Sequence, residues 1–323
     1  EVDMTTILVT GAAGFIGSHV CERLLERGDA VVGLDNFNDY YSPAAKRANA
    51  ALLERRPGFR MIEGDVRDAP LVRTTCEAER FDGVVHIAAM ANVRYSLQDP
   101  LLYVDVNVRG LVSVLEGAVA GGARDFVFAS TSSVYGRTDR IPFRETDSTD
   151  QPLAPYPATK KAGEAMLHAY HVAHGLRCRV LRFFNVYGPR GRPDMTPWHF
   201  LEAILRGDRI RLFDEGRPQR DWTYVDDTVR GVVAALDAGH GYEIFNLGRG
   251  EPVAMSEFVG ILERLAGRPA LIDPAPLPPT EALVTYSDTT KAARMLGYRP
   301  EVSLEEGLRR FFEWFQEKLK VES

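Results

Sequence analysis

The sequence predicts an α/β protein: a doubly wound parallel sheet with a smaller, partly discontinuous α/β lobe. Three observations predict it. Short apolar runs alternate with amphipathic stretches through the first half of the chain. Most of those runs are continuously apolar, as strands buried on both faces require. Glycines fall just past the amphipathic stretches, where they suit a left-handed helix cap.

In chain order, strands are expected at 7–10, 30–34, 59–62, 83–87, 125–129 and 179–184. Between them, helices are expected at 18–27 before Gly28, 71–79, 101–119 ending at Gly121, and 157–174 before Gly175. Beyond about residue 185 the pattern loosens, with Pro189, Pro193 and Pro197 in one segment and Pro274, Pro276, Pro278 and Pro279 in another. Helices are expected there at 198–206, 227–236, 256–266 and 304–318, and one strand at 242–247 returns to the sheet. The division expected is a sheet domain over 4–185 with return segments near 225–250, and a second lobe over 186–224 and 251–323. Residues 1–3 precede Met4 and stand outside this argument.

Composition narrows the function. The 323 residues are 45% apolar and 26% charged, with a formal net charge of −6 and no basic run. That argues against a nucleic-acid partner. An anionic substrate must then be held by a few placed cations. Cys21, Cys76 and Cys178 are scattered and odd in number, which suits neither a metal site nor a disulfide framework. No apolar run reaches the roughly 20 residues of a membrane span, and no leader pattern opens the chain. The expectation is a cytoplasmic protein with no membrane partner.

The segment from Ile7 to Gly17 lies between the first strand and the first helix. Gly11, Gly14 and Gly17 permit a tight turn, close approach of a pyrophosphate, and close packing of helix on strand, with Phe15 and Ile16 opening the helix. The spacing is GxxGxxG, and a glycine-rich turn without ligand is the plain alternative. Asp35 ends the second strand, 18 residues after Gly17. A carboxylate there accepts the ribose hydroxyls of NAD and repels the 2′-phosphate of NADP; Asn36, not an arginine, follows. The sheet domain is therefore expected to be of Rossmann type and to bind NAD.

Tyr156 and Lys160 stand four residues apart, on one helix face. A nearby ammonium and the positive nicotinamide ring both favour phenolate, so Tyr156 can act as a base. The pair also suits an ordinary solvated helix face. It gains weight from the hydroxyl run Ser130, Thr131, Ser132 and Ser133, at a strand carboxyl end where open parallel sheets bind ligands. Thr131 is expected to hydrogen-bond the reacting hydroxyl.

With these residues together, the chain resembles the extended short-chain dehydrogenase/reductases over essentially its whole length. The motifs are Thr10–Gly17, Asp35-Asn36, Gly64–Asp68, His86–Ala89, Ser130–Gly136, Tyr156-x-x-x-Lys160, Arg182–Pro189 and Arg220–Asp226. The resemblance implies that Asp65 and Val66 flank the adenine, that Ala88 and Ala89 line the cofactor, and that Asn107 supports the middle of the site. It implies that Arg220 binds the nucleotide diphosphate, that Phe213 lies near the uracil, and that the protein is a homodimer packed through the helices of Asn107 and Tyr156. Within the family the chain is most similar to the UDP-glucuronate 4-epimerases, which typically carry a long insertion after the acidic residue (here Asp35–Tyr41), Val93–Ser96, and Gly188–Met195. Asn185 stands where these often have threonine, and Pro279–Ala282 replaces a more usual Pro-Gly-Asp, with Glu281 a substitute for its ribose contact.

The resemblance implies an NAD-dependent isomerase. Tyr156 takes the proton of the 4-hydroxyl as hydride leaves carbon 4, the keto sugar turns over, and both return to the other face. A 4-keto uronate is a β-keto acid, so its carboxylate must be held out of line with the carbonyl π system. Arg192 is expected to grip it, aided by Thr131, Ser132, Ser133 and Asn185; the alternative is a surface arginine in a proline-rich loop. Arg94 is expected either near the substrate or in a salt bridge. Related decarboxylases usually carry an acid before the Val-Tyr-Gly, where this chain has Ser132-Ser133. The readings kept beside UDP-glucuronate epimerisation are UDP-glucose/UDP-galactose epimerisation, decarboxylation, and non-catalytic NAD binding.

Overall fold

The computed structural model describes residues 5–278 and 281–322. Its first half follows the alternation of the sequence: β1 (Thr6–Thr10), α1 (Phe15–Arg27), β2 (Ala30–Asp35), α2 (Pro43–Glu54), β3 (Phe59–Glu63), α3 (Ala69–Glu79), β4 (Gly83–His86), α4 (Val93–Ser96), α5 (Pro100–Val104), α6 (Gly110–Gly121), β5 (Asp125–Thr131), α7 (Pro155–His174) and β6 (Arg177–Phe183). There follow β7 (Asn185–Tyr187), α8 (Thr196–Arg206), β8 (Arg209–Phe213), β9 (Gln219–Tyr224), α9 (Val225–Asp237), β10 (Tyr242–Leu247), β11 (Pro252–Ala254), α10 (Met255–Ala266), β12 (Leu271–Ala275), β13 (Val284–Thr285), α11 (Thr290–Leu296) and α12 (Leu304–Glu322).

Seven strands form one parallel sheet in the order β10-β6-β5-β4-β1-β2-β3. The expected fold class holds, and the return strand takes its place at the edge beside β6. The order reverses between β1 and β4. At such a switch point the loops after neighbouring strands diverge and leave a crevice at the strand carboxyl ends. A second sheet joins β7, β11 and β13 to β9, and β12 pairs with β8.

The two faces of the large sheet pack differently. Val72 and Cys76 of α3, Leu111, Val114, Leu115 and Ala118 of α6, and Leu167 of α7 close one face in a core of their own. On the other face, Val20 and Leu24 of α1 and Val229 and Val232 of α9 join a core that runs on through Leu201, Phe258, Phe311 and Phe315. The large sheet and the later helices therefore share one apolar interior.

Two expectations need correction. The helix expected over 101–119 is interrupted: α5 is followed by a wider π-helical turn, Asp105–Arg109, before α6. Its left-handed cap is Gly122 (φ 80°), not Gly121. Gly121 serves close approach instead, since a Cβ there would lie 2.4 Å from the Cys76 carbonyl oxygen. The helix α2 was not anticipated, because the residues it buries include Lys46 and Asn49. Asn49 Nδ2 donates to the Ala13 carbonyl at 2.9 Å, so a polar contact fixes α2 to the glycine loop.

Candidate active site

The loop from β1 to α1 is shaped by its glycines. Gly11 has φ 70°, and a Cβ on it would stand 2.8 Å from the Ala88 amide nitrogen. A Cβ on Gly17 would lie 2.0 Å from the Gly11 carbonyl oxygen. Gly14 caps α1 with no side-chain bond, and no acidic residue stands in the first turn. The first amides of α1 thus remain open to an anion at the positive end of the helix.

Asp35 closes the same crevice at the end of β2. Its carboxylate accepts from the amides of Ala13 (3.0 Å) and Phe37 (2.9 Å). Those two bonds fix its plane and leave acceptor capacity for a ribose. Burial pushes this carboxyl up, while the two amides, Lys46 and Arg47 pull it down. Asn36 Nδ2 donates to Asp65 at 2.9 Å. Asp65 is also clamped by Arg67, whose hydrogen bonds hold its carboxyl well below the usual range. Val66 is buried behind it. These groups, with Ala88, Ala89, Phe15 and Ile16, line one cleft. An elongated crevice with open helix amides at one wall and a fixed carboxylate at the β2 end fits a dinucleotide.

Asn107 sits in the π-helical turn, a widened turn of the kind often found at functional sites. Its Oδ1 accepts from Met90 N (2.8 Å), and its Nδ2 donates to Met90 O (2.9 Å) and Thr159 Oγ1 (3.0 Å). It ties the loop after β4 to the helix of Tyr156.

Tyr156 lies in the first turn of α7, 8% exposed, and Lys160 one turn on, 2% exposed. Both face the cleft. Lys160 Nζ donates to the Ala129 carbonyl at 2.8 Å, and burial pushes its ammonium down to about 7. The Tyr156 phenol is pushed up by burial and drawn down by a hydrogen bond with Thr131 and by the charge of Arg192. Arg192 thus adds a second cation to the cleft of Tyr156 and Lys160, one that the Tyr156–Lys160 spacing did not point to. Thr131 ends β5, two residues beyond the strand expected, and its oxygen also accepts from Ser133 N at 3.1 Å. Behind this end of β5, Ser130 donates to Glu164 (2.7 Å), and Arg182 grips both oxygens of Glu164 (3.0 and 2.7 Å). That buried pair pins α7 to β5 and β6.

Arg192 lines the cleft with Tyr156, its side chain 22% exposed. Its partner within the chain is Asp194, held by Nε at 2.9 Å and Nη2 at 3.1 Å.

Comparison with known proteins matches residues 7–248 to the NAD dependent epimerase/dehydratase family. The chain belongs to that family. A UDP-glucuronate 4-epimerase 5 of Arabidopsis thaliana is 45% identical over 96% of this chain and 75% of its own. A UDP-glucuronate 4-epimerase of Thermodesulfobacterium geofontis is 41% identical over 97% of each. A crystal structure of UDP-glucuronic acid 4-epimerase from Bacillus cereus, in complex with UDP-glucuronic acid and NAD, superposes with TM-score 0.91 at 35% identity, covering 97% of this chain and 100% of that one.

In this epimerase/dehydratase chain the other expected substrate residues are gathered less tightly. Ser132 and Ser133 begin a tight 3-10 turn after Thr131 and are half-buried. Asn185 opens β7, opposite Trp222 of β9, and Phe213 ends β8; both are half-buried. Arg220, Arg94 and Glu281 form one ionic cluster: Glu281 accepts from Arg220 at 3.1 Å and from Arg94 at 3.3 Å. Arg94, 76% exposed, is thus in a salt bridge. Glu281, expected at a ribose, is engaged by the two arginines. Its neighbours Pro279 and Thr280 lie outside the described residues. Residues that sequence reasoning missed are Tyr40 and Tyr41 of the insertion and Lys46 of α2, which line the cleft, and Asn92 and Asp194, which stand beside it. The insertion's length was visible; its reach to Asp194, through a Tyr40 hydroxyl bond of 3.1 Å, was not.

Proposed function

We propose that this chain interconverts UDP-glucuronate and UDP-galacturonate by transient oxidation at carbon 4 of the sugar. One observation carries the reading: Arg192, a cation able to meet a carboxylate, shares a cleft with Tyr156 and the glycine loop. Asp194 occupies one edge of that cation, and a neutral sugar offers no second carboxylate for the edge left over. The named relatives above act on the uronate, and they cover nearly all of the chain.

When bound, NAD supplies the acceptor that takes hydride from carbon 4 and gives it back. The chain's own residues do the rest. The open amides of α1 bind the pyrophosphate, and the Asp35 carboxylate binds the ribose. Tyr156 takes the proton from the 4-hydroxyl and later returns it. Its ionisation is helped by Thr131 and Arg192 and by a positive ring nearby. Lys160, held to the Ala129 carbonyl, keeps a partly charged amine beside the reacting groups near neutral pH. Arg192 holds the carboxylate so that the keto intermediate keeps it. Arg220 takes the diphosphate, with Ser132, Ser133, Asn185, Phe213 and Arg94 around sugar and base. Glu164 stands close to the hydroxyl run, but Arg182 and Ser130 occupy it. It cannot serve as the acid that decarboxylation or dehydration would recruit.

We also propose that residues 186–224 and 251–323 form the substrate lobe, and that two chains pair through α5, α6 and α7. Leu101 (79% exposed) and Val172 (71%) supply apolar surface on α5 and α7. A cytoplasmic setting suits a nucleotide-sugar enzyme with three free, buried cysteines. No helix among the described residues is long and apolar enough to cross a membrane.

The test is product analysis by chromatography after incubating the protein with NAD and UDP-glucuronate, with UDP-glucose and UDP-galactose beside it. UDP-galacturonate without net NADH is expected. Turnover of the neutral pair alone would overturn the uronate assignment.

A further inference from the structure

We propose that Asp194 is the positioning residue for Arg192, and that it governs how much oxidised intermediate escapes as decarboxylated product. The inference rests on the uronate reading above.

A guanidinium carries five N–H groups in one plane, grouped into edges that can each meet a carboxylate. Asp194 occupies the edge of Nε and Nη2 in Arg192. No hydrogen-bond acceptor among the described residues meets Nη1. The edge of Nη1 and the second Nη2 hydrogen therefore remains available in the cleft that Arg192 shares with Tyr156. One planar cation can bridge two carboxylates, one from the chain and one from the sugar.

Asp194 is itself immobilised. Its Oδ2 also accepts from Asn92 Nδ2 at 2.9 Å and from the Tyr40 hydroxyl at 3.1 Å. Asn92 is fixed in turn by accepting from Tyr95 N at 2.9 Å, and the Tyr40 ring packs on Tyr95 at 5.3 Å between centroids. Three separate segments converge on this carboxylate: the insertion after β2, the loop after β4, and the loop before α8. Burial pushes the Asp194 carboxyl up, but Arg192, Asn92 and Tyr40 outweigh it and hold the group below its usual range. An arginine on an exposed loop loses much rotamer freedom when it binds; here that freedom is already removed.

The consequence is chemical. In the 4-keto uronate, the bond from carbon 5 to the carboxyl carbon breaks readily when it lies parallel to the carbonyl π orbitals. Carbon dioxide then leaves, the electron pair enters a C4–C5 enolate, and a solvent proton adds at carbon 5. The product is a UDP-4-keto-pentose. The hydride taken from carbon 4 has not been returned, so one dinucleotide stays reduced for each pentose. A carboxylate held by a fixed guanidinium is kept from that alignment; one held by a swinging guanidinium is not.

The experiment is Asp194→Asn, which keeps shape and removes charge, compared with Asp194→Glu and Tyr40→Phe. Three quantities are read: the ratio of UDP-4-keto-pentose to UDP-galacturonate, the Kd of UDP-glucuronate against that of UDP by calorimetry, and the melting temperature. Asp194→Asn should raise the pentose fraction by about tenfold and weaken UDP-glucuronate binding by about tenfold, with UDP binding unchanged. Asp194→Glu should recover part of both, and Tyr40→Phe should move both in the same direction by less. An unchanged product ratio, or an equal loss of UDP and UDP-glucuronate affinity, would overturn the positioning role. If Asp194→Asn does not fold, Tyr40→Phe decides by the same readouts. Failure of the uronate reading is a separate result, visible as wild-type protein that leaves UDP-glucuronate untouched.

Discussion

The two walls of the cleft are built on different principles. On the cofactor side, glycine backbone, free helix amides and a carboxylate pinned by two amides make a surface that needs no rearrangement. On the side proposed for substrate, the cations are already paired with carboxylates of the chain: Arg192 with Asp194 in the cleft, and Arg220 and Arg94 with Glu281 apart from its lining. A permanently bound dinucleotide suits the first wall, and a diphosphate or uronate that comes and goes suits the second. Tyr156 stands at the seam, touched by Thr131 from the sheet and by the charge of Arg192 from the other wall.

The largest effect is expected at that seam. Tyr156→Phe removes the base and should lower turnover by about 10²–10⁴-fold, while retained NAD, seen by release on denaturation, stays as in the wild type. Loss of the dinucleotide together with turnover would mean that the two walls are not separable. The next effect should break the cofactor wall alone. Gly17→Ala places a methyl 2.0 Å from a carbonyl oxygen, which costs about 1–3 kcal/mol of stability on overpacking grounds and should strip NAD from the purified protein. UDP binding by calorimetry should survive.

A third test uses the buried amine. Burial sets Lys160 near 7 in the fold, against 10.5 in the unfolded chain. Between those values the unfolded chain holds the extra proton, so this group's contribution makes stability rise with pH from about 7 to about 10.5 and then level off. Lys160→Met should flatten that rise in denaturant melts taken across the range. An identical pH slope in both proteins would contradict the buried position. The smallest effect belongs to the substrate wall. Arg94 is exposed and Glu281 partly so, so their pairing is worth under about 1 kcal/mol. Glu281→Gln should lower the KM for the UDP-sugar by less than about fivefold, more at low salt than at high. A rise in KM would instead give Glu281 a direct substrate contact.

The same contrast explains what the sequence made legible. The glycine loop, Asp35 and the Tyr156–Lys160 pair could be read because each is a local pattern whose partner is backbone or lies one helical turn away. The strands of the large sheet could be read because they are buried on both faces. Arg192 lines the cleft, and Asp194, two positions on, was not singled out, because its holders Tyr40 and Asn92 lie 154 and 102 residues away. The helix α2 escaped because it buries a lysine and an asparagine in place of an apolar stripe. The strands β7, β11 and β13 run two to three residues, too few for a pattern to show, and β8, β9 and β12 carry charged residues among their apolar ones in place of a continuous apolar run. The π-helical turn at Asn107 left no mark on a helix-forming sequence, since its reason is the Asn107 bond to Met90 and Thr159.

The central claim is that a sugar alcohol becomes a ketone for a moment and receives the same hydrogen back. UDP-glucuronate carrying deuterium at carbon 4, incubated with the protein in ordinary water, tests it directly. UDP-galacturonate should retain the label at carbon 4, with none in solvent. Label washed into water at the rate of epimerisation would contradict it.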